Sequence, residues 1–269
     1  MNNYVLLPNR GVLKLSGPDV RGFLQDVITN NINKLNIQKA VYSLLLNPQG
    51  KYLYDFFLIE NGKNILLECE SIYINGIVER LNLLKTYLRV KIQDVSKLYK
   101  VGVSLNSDAV NINELQITFQ DPRHVNLGFR IISPIELCLD ESGNLNDYEY
   151  VRISNLIPDG IRDMVQNVSF PLQYLIDKVN GIDFNKGCYI GQEVVTRMSR
   201  QQSLRRKLYL VSGENDLPIA GTKIIKSDEE IGELRSSIKN IGLALLYTEK
   251  ASSENDSLIQ AKDVNILIK

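Results

Sequence analysis

Gly181-Ile182-Asp183-Phe184-Asn185-Lys186-Gly187-Cys188-Tyr189-Ile190-Gly191-Gln192-Glu193-Val194-Val195-Thr196-Arg197-Met198 is where an otherwise ordinary globular sequence concentrates its chemistry. Glycines on both sides of Cys188 give the backbone freedom and let a ligand approach closely. Gln192 to Met198 reads as a helix with Glu193 in its first turn. A thiol just ahead of a helix N-terminus, with Lys186 two residues away, is expected to favour its thiolate form. A buried structural cysteine is the competing reading, and the residue types leave both open.

The rest of the composition sets bounds. A chain of 269 residues predicts two domains, or three small ones. Hydrophobic residues at 44% and charged residues at 23% exclude disordered and collagen-like classes. Lys plus Arg equals Asp plus Glu at 31 each, so no global field draws the chain to nucleic acid or an anionic membrane. Cys69, Cys138 and Cys188 are widely spaced and form no CxxC or Cys/His pair, which argues against a disulfide framework and against a metal site built by this chain alone. No basic segment followed by a long apolar run opens the sequence, and the expectation is a reduced, cytoplasmic protein.

Along the chain, Tyr4 to Leu15 reads as two short strands around Pro8-Asn9-Arg10-Gly11. Ser16, Pro18 and Asp19 signal a helix start, and Val20, Phe23, Leu24, Val27 and Ile28 give it an apolar face. Three strands follow between Ala40 and Glu68, joined by Pro48-Gln49-Gly50 and by Asn61-Gly62, a strong hairpin cue. Asp55 interrupts the middle strand and, at period two, shares a side with Leu53 and Phe57. A carboxylate there is either paired, with Lys51 or Arg89, or lines a cleft. Ser71 to Leu88 predicts a helix, and strands follow at Arg89–Ile92, Lys100–Leu105 and Leu115–Gln120. The only histidine, His124, lies in a polar loop and is read as solvent-exposed. Asn146 to Ile157 predicts a helix, and Pro158-Asp159-Gly160 a turn in which Gly160 takes positive φ. Arg197, Arg200, Arg205, Arg206 and Lys207 read as a solvated charged face, or as a phosphate or polyglutamate contact. From Leu208 short strands alternate with turns, the pattern of a small separate β-barrel.

The string Lys186-Gly187-Cys188-Tyr189-Ile190-Gly191-Gln192-Glu193, followed by Arg197, resembles the signature of the YgfZ family of folate-binding proteins. That family is related to the glycine-cleavage T-protein, an aminomethyltransferase, and to mitochondrial iron–sulfur assembly factors. Leu15–Asp19 with Phe23-Leu24-Gln25 and Thr29-Asn30, Asn47–Lys51 with Asp55, Tyr87–Lys91, Asp121-Pro122-Arg123 and Ile157–Gly160 follow in the family's order, so the likeness runs from about Leu15 to Arg206. Gln173 departs from it, standing where family members usually carry glutamate.

The resemblance implies an α+β, T-protein-like three-part fold: two α+β regions and a C-terminal β-barrel around a central cavity. The expected division is 1–200 for the folate-binding region, with an inserted part at about 45–115, and 201–269 for the barrel. It implies a tetrahydrofolate-binding factor for maturing or repairing iron–sulfur proteins, including tRNA-modifying enzymes, with Cys188 as the functional thiol. The folate contacts it suggests are Glu193, Asp55, Tyr189, Gln192, Arg197 and Lys186. Glu193 would accept the amidine-like edge of the pterin, or, as a first-turn glutamate, only support its own helix. Expected partners are folate and iron–sulfur proteins or their assembly machinery, for a monomer without membrane or direct nucleic-acid contact. A folate-dependent aminomethyltransferase is the alternative. T-proteins carry two adjacent acids after the turn where this chain has Tyr54-Asp55, and they lack a cysteine in the signature. A cysteine hydrolase ranks last, because no histidine partner is evident.

Overall fold

The computed structural model describes residues 4–106, 114–137, 142–201, 204–252 and 258–269; Cys138 lies outside them. In chain order it begins with β1 (Tyr4–Leu6), β2 (Arg10–Ser16), α1 (Val20–Val27), β3 (Ala40–Leu46), β4 (Tyr52–Asn61), β5 (Asn64–Glu70), α2 (Ile74–Lys85) and β6 (Lys91–Asp94). Then come β7 (Tyr99–Ser104), β8 (Ile117–Gln120), β9 (Phe129–Pro134), α3 (Leu145–Ser154), α4 (Gly160–Asp163) and α5 (Gln192–Ser199). The chain ends with β10 (Arg206–Gly213), β11 (Lys223–Lys226), β12 (Glu229–Ile238), β13 (Ile241–Tyr247), α6 (Thr248–Ala251), β14 (Ile259–Ala261) and β15 (Val264–Ile268).

Two sheets form the body, in the orders β3-β4-β5-β2-β6 and β1-β7-β9-β8. Alternation along β3 and β4 decides what each face covers. Val41, Leu45, Phe56 and Leu58 pack with Phe23, Leu24, Ile77 and Leu81 of α1 and α2. Tyr42, Leu44, Phe57 and Ile59 point the other way, toward Val103, Phe119 and Ile132 of the second sheet. With both faces covered, β3 is buried along its whole length, and its sequence reads as an unbroken apolar run.

Three local departures from the sequence pattern shape the interior. β1 and β2 do not form a hairpin: β1 pairs with β7, while β2 pairs with β5 and β6. The intervening turn therefore crosses between sheets and sets Arg10 at their junction. In β4, Leu44 faces Asp55, Leu45 faces Tyr54 and Leu46 faces Tyr52, so Leu53 is an extra residue in the ladder. This bulge turns Leu53 to the helix side and leaves Tyr52, not Leu53, on the face of Asp55 and Phe57. Arg89 pairs with Asp19 on the surface rather than with Asp55.

The last six strands close into a barrel, β10-β13-β12-β11-β14-β15, around its own core of Val211, Ile224, Leu234, Leu246 and Ile266. Closure leaves no unpaired edge. Leu208, Leu243 and Leu245 face outward into the body's core. Arg152 of α3 donates to Ser236 Oγ at 3.0 Å, and Arg235 donates to the Asp163 carbonyl at 2.6 Å, fastening barrel to body. The expected α+β body with a C-terminal barrel is what the structure shows.

Candidate functional site

Cys188 rides on a loop held by several independent anchors. Thr29 Oγ1 donates to the Gly181 carbonyl at 2.7 Å, Asn30 Nδ2 donates to the Asn180 carbonyl at 2.6 Å, and Asp183 N donates to the Thr29 carbonyl at 3.1 Å. Lys186 is buried, and its ammonium donates to the Gln25 carbonyl and, at 2.6 Å, to the Ile28 carbonyl. It thus satisfies carbonyls left open at the end of α1. Burial lowers its pKa to about 8, against the pull of Asp26 and Asp183. At the far side Gly191, with φ of 83°, packs on the Asn47–Gly50 turn; a Cβ there would stand 2.7 Å from the Asn47 carbonyl oxygen. The strings that carry the family resemblance converge here. Cys188 itself is exposed, whereas Cys69 is buried and its thiol pKa is pushed up by that burial.

A separate cavity of about 250 Å³ opens where the two sheets meet α3 and α4, just below the size of most small-molecule sites at roughly 300–1,000 Å³. Arg10, Asp55, Glu70, Arg123, Arg130 and Asp159 face it, with the rings of Phe57 and Tyr148. Asp55 Oδ2 accepts from Tyr42 Oη at 3.0 Å and Oδ1 from Tyr52 Oη at 2.8 Å. A carboxylate has about four lone-pair positions, so two remain for a ligand. Arg10 and Arg130 pair with opposite oxygens of the buried Glu68, with Arg130 Nε at 2.9 Å. Arg123 forks onto Asp121 at 3.0 and 2.8 Å. The Arg123 and Arg130 guanidiniums both approach the Phe57 ring, 4.9 and 4.2 Å from its centroid. Arg10 Nη2 and Arg130 Nη1 are buried and have no hydrogen-bond partner among the described residues, although Arg130 Nη1 stands 3.8 Å from Asp121 Oδ2; a ligand acceptor would supply the missing hydrogen bonds.

Gly160 shows how closely this floor is packed. Its φ is not positive, contrary to the turn expected there; its role is space. A Cβ at Gly160 would stand 1.8 Å from Asp55 Oδ1 and 2.5 Å from Tyr52 Oη. Gly160→Ala is expected to cost about 1–3 kcal/mol in urea unfolding, and wild-type stability of the variant would contradict this packing.

Ionisation in the cavity is divided. Burial, and then the charge of Asp159, raise the Asp55 pKa against Arg10 and the two tyrosine hydrogen bonds. Burial also opposes ionisation of Glu68 and Asp121, but Arg10 and Arg130 outweigh it at Glu68 and Arg123 at Asp121, holding both pKa values down. The signs follow from proton linkage. The folded chain keeps the Asp55 proton to higher pH than the unfolded chain, so this group's contribution to stability declines as pH rises through its raised pKa. Glu68 and Asp121 contribute above the ordinary carboxylate range and lose that contribution as pH falls through their lowered values. Asp55→Asn removes the first effect alone. The variant's stability relative to wild type is expected to improve as pH rises from about 4 to 7; urea midpoints whose difference is flat over that range would contradict the assignment.

The structure distributes the residues singled out from sequence over three environments. Asp55 lines the cavity. Lys186 and Tyr189 are buried in the loop's mounting, with the ammonium 5.1 Å from the Tyr189 ring centroid. Cys188, Glu193 and Arg197 are exposed and Gln192 is half-buried; none of the four is among the residues lining the cavity. The thiol and the carboxylate of Glu193 thus do not share a hollow with Asp55. Sequence reading missed Arg10, Glu70, Arg130 and Tyr148 as cavity residues, and quoted Arg123 and Asp159 without giving them a role. The signal for Arg130 was the one that marked Asp55: a lone charge in an apolar strand. His124 is half-buried and accepts from Asn126 N through Nδ1.

Two sheets, a closed C-terminal barrel and an anchored loop define a protein of the T-protein fold. The crystal structure of glycine cleavage system aminomethyltransferase T from Bartonella henselae matches with a TM-score of 0.77 over 98% of this chain and 84% of that one; at 14% identity this likeness concerns fold alone. Residues 205–268 match the family described as CAF17, C-terminal beta-barrel domain. The human iron–sulfur cluster assembly factor IBA57, mitochondrial, is 30% identical over 274 residues, covering 91% of this chain and 77% of the relative. The IBA57 homolog of Dictyostelium discoideum is 26% identical, covering 77% of this chain and 62% of the relative. The chain belongs to the IBA57 family. These relatives are named mitochondrial, which overturns the expectation of a cytoplasmic protein.

Proposed function

We propose that this chain is an iron–sulfur cluster assembly factor, acting in the mitochondrial setting its relatives' names give, and that Cys188 supplies one thiolate to a cluster shared with a partner protein. The observation that carries this reading is the exposed thiol on an anchored loop. Among the described residues no group of three or more His, Cys, Asp or Glu is placed to hold a metal ion. A [2Fe–2S] cluster takes about four protein ligands, so a chain offering one thiolate leaves the others to its partner. The clients are iron–sulfur proteins, tRNA-modifying enzymes among them. In cells lacking this protein, wild type and Cys69→Ser are expected to restore iron–sulfur enzyme activity and tRNA modification, and Cys188→Ser to restore neither. Full rescue by Cys188→Ser would reject the thiol role.

The central cavity suits the pterin half of a tetrahydrofolate. Two open lone-pair positions on Asp55 match the paired N–H groups of the 2-aminopyrimidinone, the orphaned N–H groups of Arg10 and Arg130 match its ring carbonyl, and Phe57 and Tyr148 offer apolar ring surface. Folate would supply a one-carbon carrier there. These residues bind and orient it, and the cavity's size leaves the folate's tail outside. Asp55, rather than Glu193, is the carboxylate this reading assigns to the pterin.

A further inference from the structure

Both ends of the signature stretch return to one groove. It measures about 650 Å³, and Phe184, Leu172, Leu175, Met198, Leu204 and Tyr209 supply its apolar surface. Phe184 is 44% exposed, high for a residue of its size beside a core. The chain leaves the groove at Phe184, carries Cys188 four residues on, and comes back through α5 to Met198. Four residues reach no further than about 14 Å, so an occupant of the groove lies within a short helix length of the thiol.

Cations outnumber acids around this groove: Asp177 lines it, but in an ion pair with Lys178 at 3.5 Å. Lys207 also lines it, while Arg197 of α5, Arg200 just past that helix and Arg205 just before β10 are its sequence neighbours. All four are exposed, and none makes an ion pair with the described residues, although acids elsewhere on the surface are paired, such as Glu230 with Lys223 and Glu229 with Lys250. Unpaired cations around an apolar floor attract an occupant that is acidic at its margins and apolar at its centre. A thiolate-ligated iron–sulfur cluster is itself anionic, so the same field favours a cluster-bearing partner.

We infer that this groove, lined by Phe184, Met198 and Lys207, docks an acidic amphipathic segment of the partner that delivers or receives the cluster, and so brings that partner's ligands to Cys188. The inference rests on the proposed thiol role, but docking and ligation are separable. The apolar face of the segment covers Phe184, Met198 and Leu204 while its carboxylates meet Lys207 and Arg200, in the manner of a helix laid into a groove.

The probe is a fluorescein-labelled helical peptide of about 18 residues, five turns, with Leu and Phe on one face and Glu on the other. By fluorescence anisotropy at low salt it is expected to bind wild type and Cys188→Ser equally. Arg200→Glu/Lys207→Glu and Met198→Asp should each weaken it at least about tenfold. Lys63→Glu/Lys91→Glu makes the same change in net charge away from the groove and should leave affinity unchanged. A peptide with Lys in place of Glu should not bind. Equal binding to the groove variants, failure to bind wild type, or tRNA that binds and displaces the peptide would each overturn the docking inference. Loss of cluster transfer in Cys188→Ser with peptide binding intact would support thiol and groove separately, whereas retained transfer in Cys188→Ser would reject the thiol role and leave the groove result standing.

Discussion

Replacing Arg152 with methionine is expected to lower the unfolding free energy by about 3–5 kcal/mol, the usual cost of removing one partner from a buried ion network. Arg152 is fully buried, and every direction its guanidinium points is occupied. Nη1 donates to the Ile157 carbonyl at 2.8 Å and to Asp163 Oδ2 at 3.0 Å, and Nη2 to Glu149 Oε2 at 2.9 Å and Ser236 Oγ at 3.0 Å. Methionine fills part of the space but takes away the cation paired with the Asp163 carboxylate, also fully buried, leaving it the neutral donors Asp159 N–H and the Ser236 hydroxyl. Burial already raises the Asp163 pKa, against Arg152 first among the groups that lower it. Without the cation that carboxyl is expected to take up a proton on folding, so the variant should be more stable in mild acid than at neutral pH. Ser236 belongs to β12, so faster amide exchange at the barrel's contact with α3 should accompany the loss. A drop below about 1 kcal/mol would show that the network is not the clamp between body and barrel.

Asp55→Asn should weaken tetrahydrofolate binding by about 10–100-fold, while Glu193→Ala leaves it unchanged. A hydrogen bond to a charged group contributes about 1.5–3 kcal/mol, and each 1.4 kcal/mol is tenfold in affinity. Asparagine keeps the shape and still meets the hydroxyls of Tyr42 and Tyr52, but it loses the charge and one of the two acceptor oxygens. Calorimetric titration of both variants decides the matter: equal affinity for wild type and Asp55→Asn would remove Asp55 from the pterin, and a loss confined to Glu193→Ala would return the ligand to the signature loop. The affinity of wild type should also fall in acid, because ligand binding needs the ionised Asp55 and its raised pKa brings protonation within reach.

The fold was legible where local patterns were strong. The Asn61-Gly62 hairpin, the apolar face of α1 and the run of short strands after Leu208 all stand near where their residues place them. The helix expected at Ser71–Leu88 is shorter, Ile74–Lys85, because a 3₁₀ turn over Ser71–Tyr73 precedes it and Thr86, at φ of 36°, ends it ahead of the exposed Tyr87. What periodicity does not contain is where the chain breaks its own pattern. One inserted residue at Leu53 exchanges the neighbours of Asp55, and a turn between sheets looks the same in sequence as a hairpin turn. Asp55 was legible as an acid needing an explanation, but its partners, Tyr42 and Tyr52, became evident only with the register. Lys186 was legible as chemistry beside a thiol, yet its ammonium is held by α1 carbonyls distant in sequence. The cavity's arginines come from β2, β9, the loop before it and α4, which only the tertiary fold brings together.

Ligation by Cys188 is read from the visible circular dichroism of a [2Fe–2S] cluster formed when the chain is mixed anaerobically with a cluster-loaded partner of its iron–sulfur system. Wild type and Cys69→Ser are expected to give a spectrum distinct from that of the partner alone, and Cys188→Ser to leave the partner's spectrum unaltered. The same new spectrum with Cys188→Ser would mean that the exposed thiol is not a ligand of the shared cluster.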